Sequence, residues 1–171
     1  MNRKQKIMAV AAGIVVALGI GTAAVSSYNS SPVRGNGEFI NVSYKKVIEV
    51  KNDKETKLIF ARPSNKSDYE PFEHRIKKVI EDMDVNLYSY KSVYWAYDNG
   101  VKVNGTTGEK LPSIQLETIQ MFPSSNVIKF FYKGTEVGSF DIDDYSTDNE
   151  GLQTFQKDFE NFLKDMKKNY E

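Results

Sequence analysis

The sequence predicts an α/β sandwich that follows a single N-terminal transmembrane helix. Three observations support this fold class. An uncharged run extends from Ile7 to Val25, the pattern from Thr56 to Met83 predicts a strand followed by an amphipathic helix, and Asn126 to Phe140 contains two β-rich runs around a Lys-Gly turn. Strands that alternate with helices and end in a hairpin are typical of a sheet covered by helices.

The composition excludes several function classes before any motif is considered. The chain of 171 residues carries 23 basic and 23 acidic side chains and no cysteine. Residues 1–27 hold three of the bases and no acid, so the remainder has 20 bases, 23 acids and a net charge of −3. A weakly acidic body without a basic stripe argues against nucleic-acid binding. The lack of cysteine excludes disulfides, thiol catalysis and thiolate metal sites.

The N-terminal 27 residues predict a signal-anchor. Residues 1–6 form a basic tail, and the uncharged run within residues 7–27 would rise about 28 Å as a helix, close to the thickness of a bilayer core. The bases keep this end in the cytoplasm, so we expect a single-pass cell-membrane protein whose C-terminal domain is extracytoplasmic. Small residues at Thr22–Ala24 and Ala24–Ser26 leave a cleaved signal peptide, and hence a secreted protein, as the alternative.

Residues 28–38 are rich in Ser, Asn and Gly and predict a flexible linker, and the folded domain is expected over residues 39–171. Its predicted order is β-α-β-α-β, an irregular or helical link, and then β-β-α. The elements are expected near residues 39–44, 45–53, 57–61, 68–83 and 85–90, then at 113–121 within the link, 126–132, 135–140 and 150–168. The strands on either side of the helix at 68–83 should be parallel, because short connections through a helix produce a right-handed crossover.

The helix at 68–83 should pack one face against the sheet. Its apolar residues recur at helical spacing and are Phe72, Ile76, Val79, Ile80 and Met83. Asp68 is the expected N-cap of this helix.

Two segments are similar to thioredoxin-like proteins. Leu58 to Phe72 (LIFARPSNKSDYEPF) resembles the strand, loop and helix start of that fold, and Val127 to Val137 (VIKFFYKGTEV) resembles its terminal hairpin. The chain thus resembles the thioredoxin-like envelope proteins of Gram-positive bacteria known as bacteriocin transport accessory proteins. The resemblance implies a thioredoxin-like fold over residues 39–168. The family's two redox cysteines fall on Asn65 and Asp68, and its cis-proline falls near Asn126, so the resemblance implies a domain without oxidoreductase activity.

The candidate interaction surface combines two loop residues with the densest aromatic cluster in the chain. Its members are Asn65, Lys66, Tyr88, Tyr90, Tyr94, Trp95 and Tyr97. Tyr and Trp are favoured anchors in protein interfaces. Tyr88 and Tyr90 share one face of the predicted strand, so core packing is the alternative role for them.

No catalytic, cofactor-binding or metal-binding residue is predicted. His74 is the only histidine and lies between charged neighbours in a helix. Ser64 and Ser67 have no identifiable base nearby in the sequence. The acidic run at 141–150 departs from calcium-loop spacing at Tyr145, which favours a solvated loop that leads into the last helix.

These observations predict a non-enzymatic, membrane-anchored accessory or assembly component of a Gram-positive cell-envelope system, such as secretion, conjugation or bacteriocin export. Its expected partners are the membrane, through the N-terminal helix, and a protein of the envelope, with no cofactor and no nucleic acid. The alternative is a small extracytoplasmic ligand-binding module, for a cell-wall glycan or peptide, on a cystatin-like or other α+β fold.

Overall fold

Seven strands and four helices are found in the part of the chain that the structure, a computed structural model, describes, namely residues 35–50 and 56–170. The strands are β1 (Phe39–Asn41), β2 (Lys57–Arg62), β3 (Leu87–Lys91), β4 (Trp95–Asp98), β5 (Val101–Asn104), β6 (Val127–Tyr132) and β7 (Thr135–Asp141). The helices are α1 (Tyr44–Glu49), α2 (Glu70–Asp82), α3 (Ser113–Met121) and α4 (Asn149–Tyr170), and a 3-10 turn occupies Lys66–Asp68.

Five of the strands form one mixed sheet in the order β1-β3-β2-β6-β7. β1, β3 and β2 are parallel, whereas β6 is antiparallel to both β2 and β7. The predicted parallel pair around α2 and the predicted β6–β7 hairpin are therefore confirmed. Lys133 and Gly134 form the hairpin turn with φ of 52° and 79°, the positive values that a tight two-residue hairpin turn requires.

Helices cover both faces of this sheet, as the prediction of a sandwich requires. Leu58 and Phe60 of β2 belong to a core shared with α2 and α4, and Ile59 and Ala61 belong to a second core that includes residues of α1 and α3. All four side chains are 1% exposed or less. Such a continuous apolar run is expected for a central strand that is buried on both faces.

The predicted apolar face of α2 is confirmed. Phe72, Ile76, Val79 and Ile80 are at most 2% exposed, and Met83, just beyond the helix, packs half-buried against the same core. The short helix predicted at 113–121 and the long final helix are also present.

The prediction that Asp68 caps the helix is wrong. α2 begins at Glu70, and Tyr69 precedes it without a side-chain capping hydrogen bond. Asp68 instead ends the 3-10 turn, whose N-cap is Asn65. Pro71 lies in the first turn of α2, where its fixed φ favours the helix and its missing N–H costs nothing, so the helix starts later than expected.

The region predicted as an irregular or helical link contains an additional hairpin. β4 and β5 pair as a separate two-stranded antiparallel sheet, with Trp95 opposite Asn104. Asn99 and Gly100 form its turn with φ of 47° and 79°. The predicted turn at Asp98–Gly100 is thus correct, but the strands beside it were not predicted.

The described chain enters the domain at the amino-terminal end of β3. Asn86 accepts hydrogen bonds through Oδ1 from the backbone N–H groups of Asn36 and Glu38, at 2.8 and 3.0 Å. The N–H of Gly35 donates to the carbonyl of Asp84. The last four residues of the predicted linker are therefore attached to the domain.

The predicted cytoplasmic tail, the signal-anchor and the first part of the linker, residues 1–34, lie outside the described residues. Among the helices of residues 35–50 and 56–170, none has the length and apolar character needed to cross a bilayer.

Candidate functional site

The candidate site lies at the edge of the sheet where β2 and β3 end. Ligands of open α/β sheets bind outside the carboxyl ends of the parallel strands. β2 continues from Arg62 into Pro63 and Ser64, and β3 continues from Lys91 into Ser92. Ser92 joins the two strand ends, because its N–H and its hydroxyl both donate to the carbonyl of Arg62, at 2.8 and 2.6 Å.

Two adjoining hollows, each about 530 Å³ in volume, open at this edge. We call them together the strand-end groove. They share the residues Tyr44, Ser64, Tyr90, Ser92, Val93 and Tyr94. The first hollow extends toward the turn after β5, at Thr106 and Thr107, and the second extends toward α3 and the loop that precedes β6. This volume is within the range of small-molecule or peptide sites.

Aromatic side chains form the floor of the groove. The Tyr90 ring is 3% exposed and meets the Tyr44 and Phe122 rings edge to face, with centroids 5.7 and 5.4 Å apart. The Tyr44 hydroxyl donates to the carbonyl of Lys91 at 2.8 Å, which fixes this ring against the end of β3. Burial raises the pKa of Tyr90, with a further contribution from Tyr44, and burial also raises the pKa of Tyr44. Both phenols therefore remain protonated and uncharged near neutral pH.

The β4–β5 hairpin extends one wall of the groove with further aromatic rings. Side chains alternate along a strand, so Trp95, Tyr97 and Lys102 share one face of the hairpin. Trp95 meets Tyr97 edge to face at 5.4 Å, and the Lys102 ammonium lies 4.5 Å from the centre of the Trp95 ring. Tyr94 is 61% exposed, and its ring passes so close to Gly105 that a Cβ there would overlap it.

Two carboxylates line the second hollow. Asp68 accepts hydrogen bonds from Asn65 Nδ2 and from the Ser67 hydroxyl, both at 3.1 Å. Asp143 accepts one from Asn126 Nδ2 at 2.5 Å. Among the described residues that line this hollow, these two acids are the only charged ones. The first hollow has one charged lining residue in the same part of the chain, Lys91.

Asn126 holds the loops around the second hollow in position. Its backbone N–H donates to the Ala61 carbonyl at 2.7 Å, and its carbonyl accepts from the Ile142 N–H at 3.0 Å. Its φ of 64° lies in the left-handed region, which asparagine tolerates better than most residues. Asn126 therefore links the end of β2 to the loop after β7 and places Asp143 beside the groove.

The structure brings together only part of the predicted interaction surface. Tyr90, Tyr94 and Trp95 line the groove, although Tyr90 contributes as a buried floor residue. The remaining predicted members, Asn65, Lys66, Tyr88 and Tyr97, do not line it.

Each of those four side chains has another local role. Asn65 caps the 3-10 turn by accepting from the Ser67 N–H at 3.3 Å, and Lys66 forms an ion pair with Glu70 at 3.0 Å. Tyr88 packs against the core on the α1 and α3 face. Tyr97 is exposed on the hairpin, where its ring packs edge to face on Trp95.

Several groove residues were absent from the predicted surface. Tyr44, Ser92 and Phe122 come from three separate parts of the chain and meet only in the folded sheet. In the sequence, Ser64 is a serine without a nearby base and Asp143 is one residue of the acidic run at 141–150, and neither pattern indicates a groove. The ends of two adjacent parallel strands meet at one edge, and this rule could have indicated Ser64 and Ser92 from the sequence.

The described residues contain no group of three or more His, Asp or Glu side chains arranged to hold a metal ion. In the acidic loop, Asp148 accepts hydrogen bonds from the Gly151 N–H at 2.7 Å and from the Ser146 hydroxyl at 3.1 Å. These bonds lower the pKa of Asp148 and give it the geometry of an N-cap for α4.

Comparisons of the chain with protein-family models, with curated proteins and with solved structures found no match.

Proposed function

We propose that the chain is a membrane-anchored, extracytoplasmic, thioredoxin-like domain that binds a protein partner through the strand-end groove and has no redox activity. The observation that carries this proposal is the groove itself. It lies at the carboxyl ends of β2 and β3, has an aromatic floor and is accessible from solvent. Aromatic residues in a concave site are favoured anchors for a protein partner.

The topology supports the thioredoxin-like part of the proposal. Three parallel strands connected through helices, followed by an antiparallel hairpin and a final helix, are the arrangement that the sequence resemblance implies. The β4–β5 hairpin is an addition between the third strand and α3. It enlarges the wall of the groove, and this supports a binding role.

Binding without redox chemistry is supported by the full sequence. Thiol–disulfide exchange requires a thiolate, and the chain has no cysteine. Asn65 and Asp68, at the positions of the family's redox cysteines, bond to one another and to Ser67. They give the loop a fixed polar turn in place of a reactive pair.

The membrane location is proposed from the sequence alone. Three bases before an uncharged run of 19 residues favour a cytoplasmic N-terminus and an extracytoplasmic domain. An accessory or assembly component of a secretion, conjugation or bacteriocin-export system fits an anchored binding domain of this kind.

Pull-down from native membranes tests the proposal. The full-length chain, carrying a tag, is cross-linked in its membrane and purified as wild type, Tyr94→Ala and Val101→Ala. Tyr94 is 61% exposed and lines both hollows, whereas Val101 of the hairpin is 50% exposed and lines neither. We expect Tyr94→Ala to lose most of the captured partner and Val101→Ala to retain it. Equal capture by all three proteins would contradict a role for the groove.

A glycan-binding module is the second candidate, and one observation favours it. The first hollow places the Tyr94 ring beside the hydroxyl-bearing residues Thr106 and Thr107. Stacking rings and hydroxyl groups also suit sugars. Binding of a wall-type oligosaccharide such as chitohexaose to the full-length chain, with loss of binding in Tyr94→Ala, would support this candidate over a protein partner.

A further inference from the structure

We propose that the strand-end groove selects a basic segment of its partner, an extended peptide whose Lys or Arg side chain enters the second hollow and pairs with Asp68 or Asp143. This inference rests on the proposed function, because it specifies the chemistry of the protein segment that the groove would bind.

The charge of the second hollow favours a basic ligand. The described residues that line it include the two acids and no Lys, Arg or His. Both carboxylates are solvent-exposed, so an incoming side chain can reach them. The loop from Asp141 to Glu150, which contains Asp143, adds four more acids and no base. This arrangement creates a negative potential at one end of the groove, and such a potential attracts cations.

The hydrogen bonds of the two acids leave their negative charge in place. In the described chain, the donors to Asp68 and Asp143 are the neutral groups of Asn65, Ser67 and Asn126. These bonds orient the carboxylates without neutralising them. Glu70, close to Asp68 in sequence, has a cationic partner instead, because the Lys66 ammonium lies 3.0 Å from its carboxylate. The negative charge beside the groove is therefore available to a ligand.

The aromatic wall of the hollow also suits a Lys or Arg side chain. The long aliphatic stems of Lys and Arg pack on apolar surface while their charged ends reach polar groups, and their cations are attracted to the faces of aromatic rings. Tyr94, which is 61% exposed, and Trp95 provide such surface beside the two acids. The Lys102 ammonium lies over the Trp95 ring at 4.5 Å, so the exposed Tyr94 ring is the one open to an incoming cation. A basic side chain therefore matches both the walls and the charge of this hollow, whereas an acidic one matches only the walls.

Fluorescence anisotropy with three labelled peptides tests the proposal on the full-length chain in neutral detergent. The probes are nine-residue peptides in which Pro alternates with Lys, with Gln or with Glu. We expect the Lys peptide to bind about tenfold more tightly than the Gln peptide at low salt, and the Glu peptide to bind most weakly. Raising the ionic strength should reduce the advantage of the Lys peptide, because both acids are exposed and screened by salt.

The double substitution Asp68→Asn with Asp143→Asn should remove most of the Lys preference. Each new amide retains an oxygen that can accept the hydrogen bonds of Asn65, Ser67 and Asn126, so the loops should keep their conformation. Asp165→Asn is the matched control, since it removes an exposed charge on α4 that does not line the groove. The salt dependence of the wild-type protein provides a second measurement that requires no variant.

Equal binding of the Lys and Gln peptides would overturn the charge selection and leave the proposed function standing. Failure of all three peptides to bind would also overturn the inference, and the Tyr94→Ala pull-down then decides the proposed function separately. Tight binding of chitohexaose in place of any peptide would overturn both and favour the glycan candidate.

Discussion

Truncation of Ile76 to Ala tests whether α2 packs on the sheet as described. Ile76 is fully buried in the core between the sheet, α2 and α4. The substitution removes three carbon atoms, and at about 0.8 kcal/mol for each buried methylene the transfer cost is about 2.4 kcal/mol. A residual cavity costs about 24 cal/mol per Å³, so every 40 Å³ that fails to close adds about 1 kcal/mol. We expect a loss of about 2.5–4 kcal/mol in the free energy of unfolding.

The assay is chemical denaturation of the full-length chain in neutral detergent, followed by the far-ultraviolet circular dichroism of the domain. A loss of this size is a large share of the 5–15 kcal/mol that is typical of a folded domain, so the midpoint should fall clearly. Lys78→Ala is the matched control on the same helix. Lys78 is exposed and pairs with Asp82 at 3.2 Å, and a surface pair of this kind contributes about 0.2–1 kcal/mol.

An Ile76→Ala protein as stable as the Lys78→Ala protein would refute the reasoning. It would mean that this face of α2 does not contact the sheet, and the position of the loop before α2 beside the groove would then be wrong as well.

Three further predictions concern the groove, the acidic loop and the anchor. Gly105→Ala should displace the exposed Tyr94 ring from its present position in the groove and weaken partner capture while costing less than about 1 kcal/mol of stability, and thermal melting beside the pull-down separates the two effects. Asp148→Ala should lower the melting temperature at pH 7. Because its folded pKa is depressed, this difference should shrink as the pH falls from about 4 through the folded pKa, and a difference independent of pH would contradict it. Protease added to intact cells should remove the domain at residues 39–171 and spare residues 1–6, whereas a protected domain would refute the proposed orientation.

The elements with a buried face could be predicted from the sequence. Ile76 and Ile80 of α2 recur at helical spacing because one side of the helix packs on the sheet. The β6–β7 hairpin was also predictable, because Lys133-Gly134 supplies a turn between two apolar runs. In these cases burial imposes a period on the sequence, so the pattern indicates both the element and its orientation.

The β4–β5 hairpin could not be predicted in the same way. A separate two-stranded sheet buries neither face completely, and Tyr97 and Val101, on opposite faces, are 64% and 50% exposed. Apolar and polar residues therefore do not alternate clearly along its strands, and only the turn at Asn99-Gly100 could be predicted from the sequence.

The groove was predicted in part for a related reason. Tyr90, Tyr94 and Trp95 are close in the sequence and belong to its densest aromatic cluster. Tyr44 follows β1 and Phe122 follows α3, and both are distant from this cluster in sequence and meet Tyr90 only in the folded domain. Strand order is set by long-range pairing, and no local pattern records it.

The entry of the chain at the amino-terminal end of β3 has a mechanical consequence. If the membrane holds the chain before Gly35 and a partner holds the groove, any tension between them acts along the strands from one end of the sheet to the other. β1 would then be pulled lengthwise past β3, to which it is paired from Phe39 to Asn41. A parallel pair loaded in this direction shears, so its hydrogen bonds must break together, whereas a pair pulled apart sideways loses them one by one. The hydrogen bonds of the short first strand would thus share the load along its whole length.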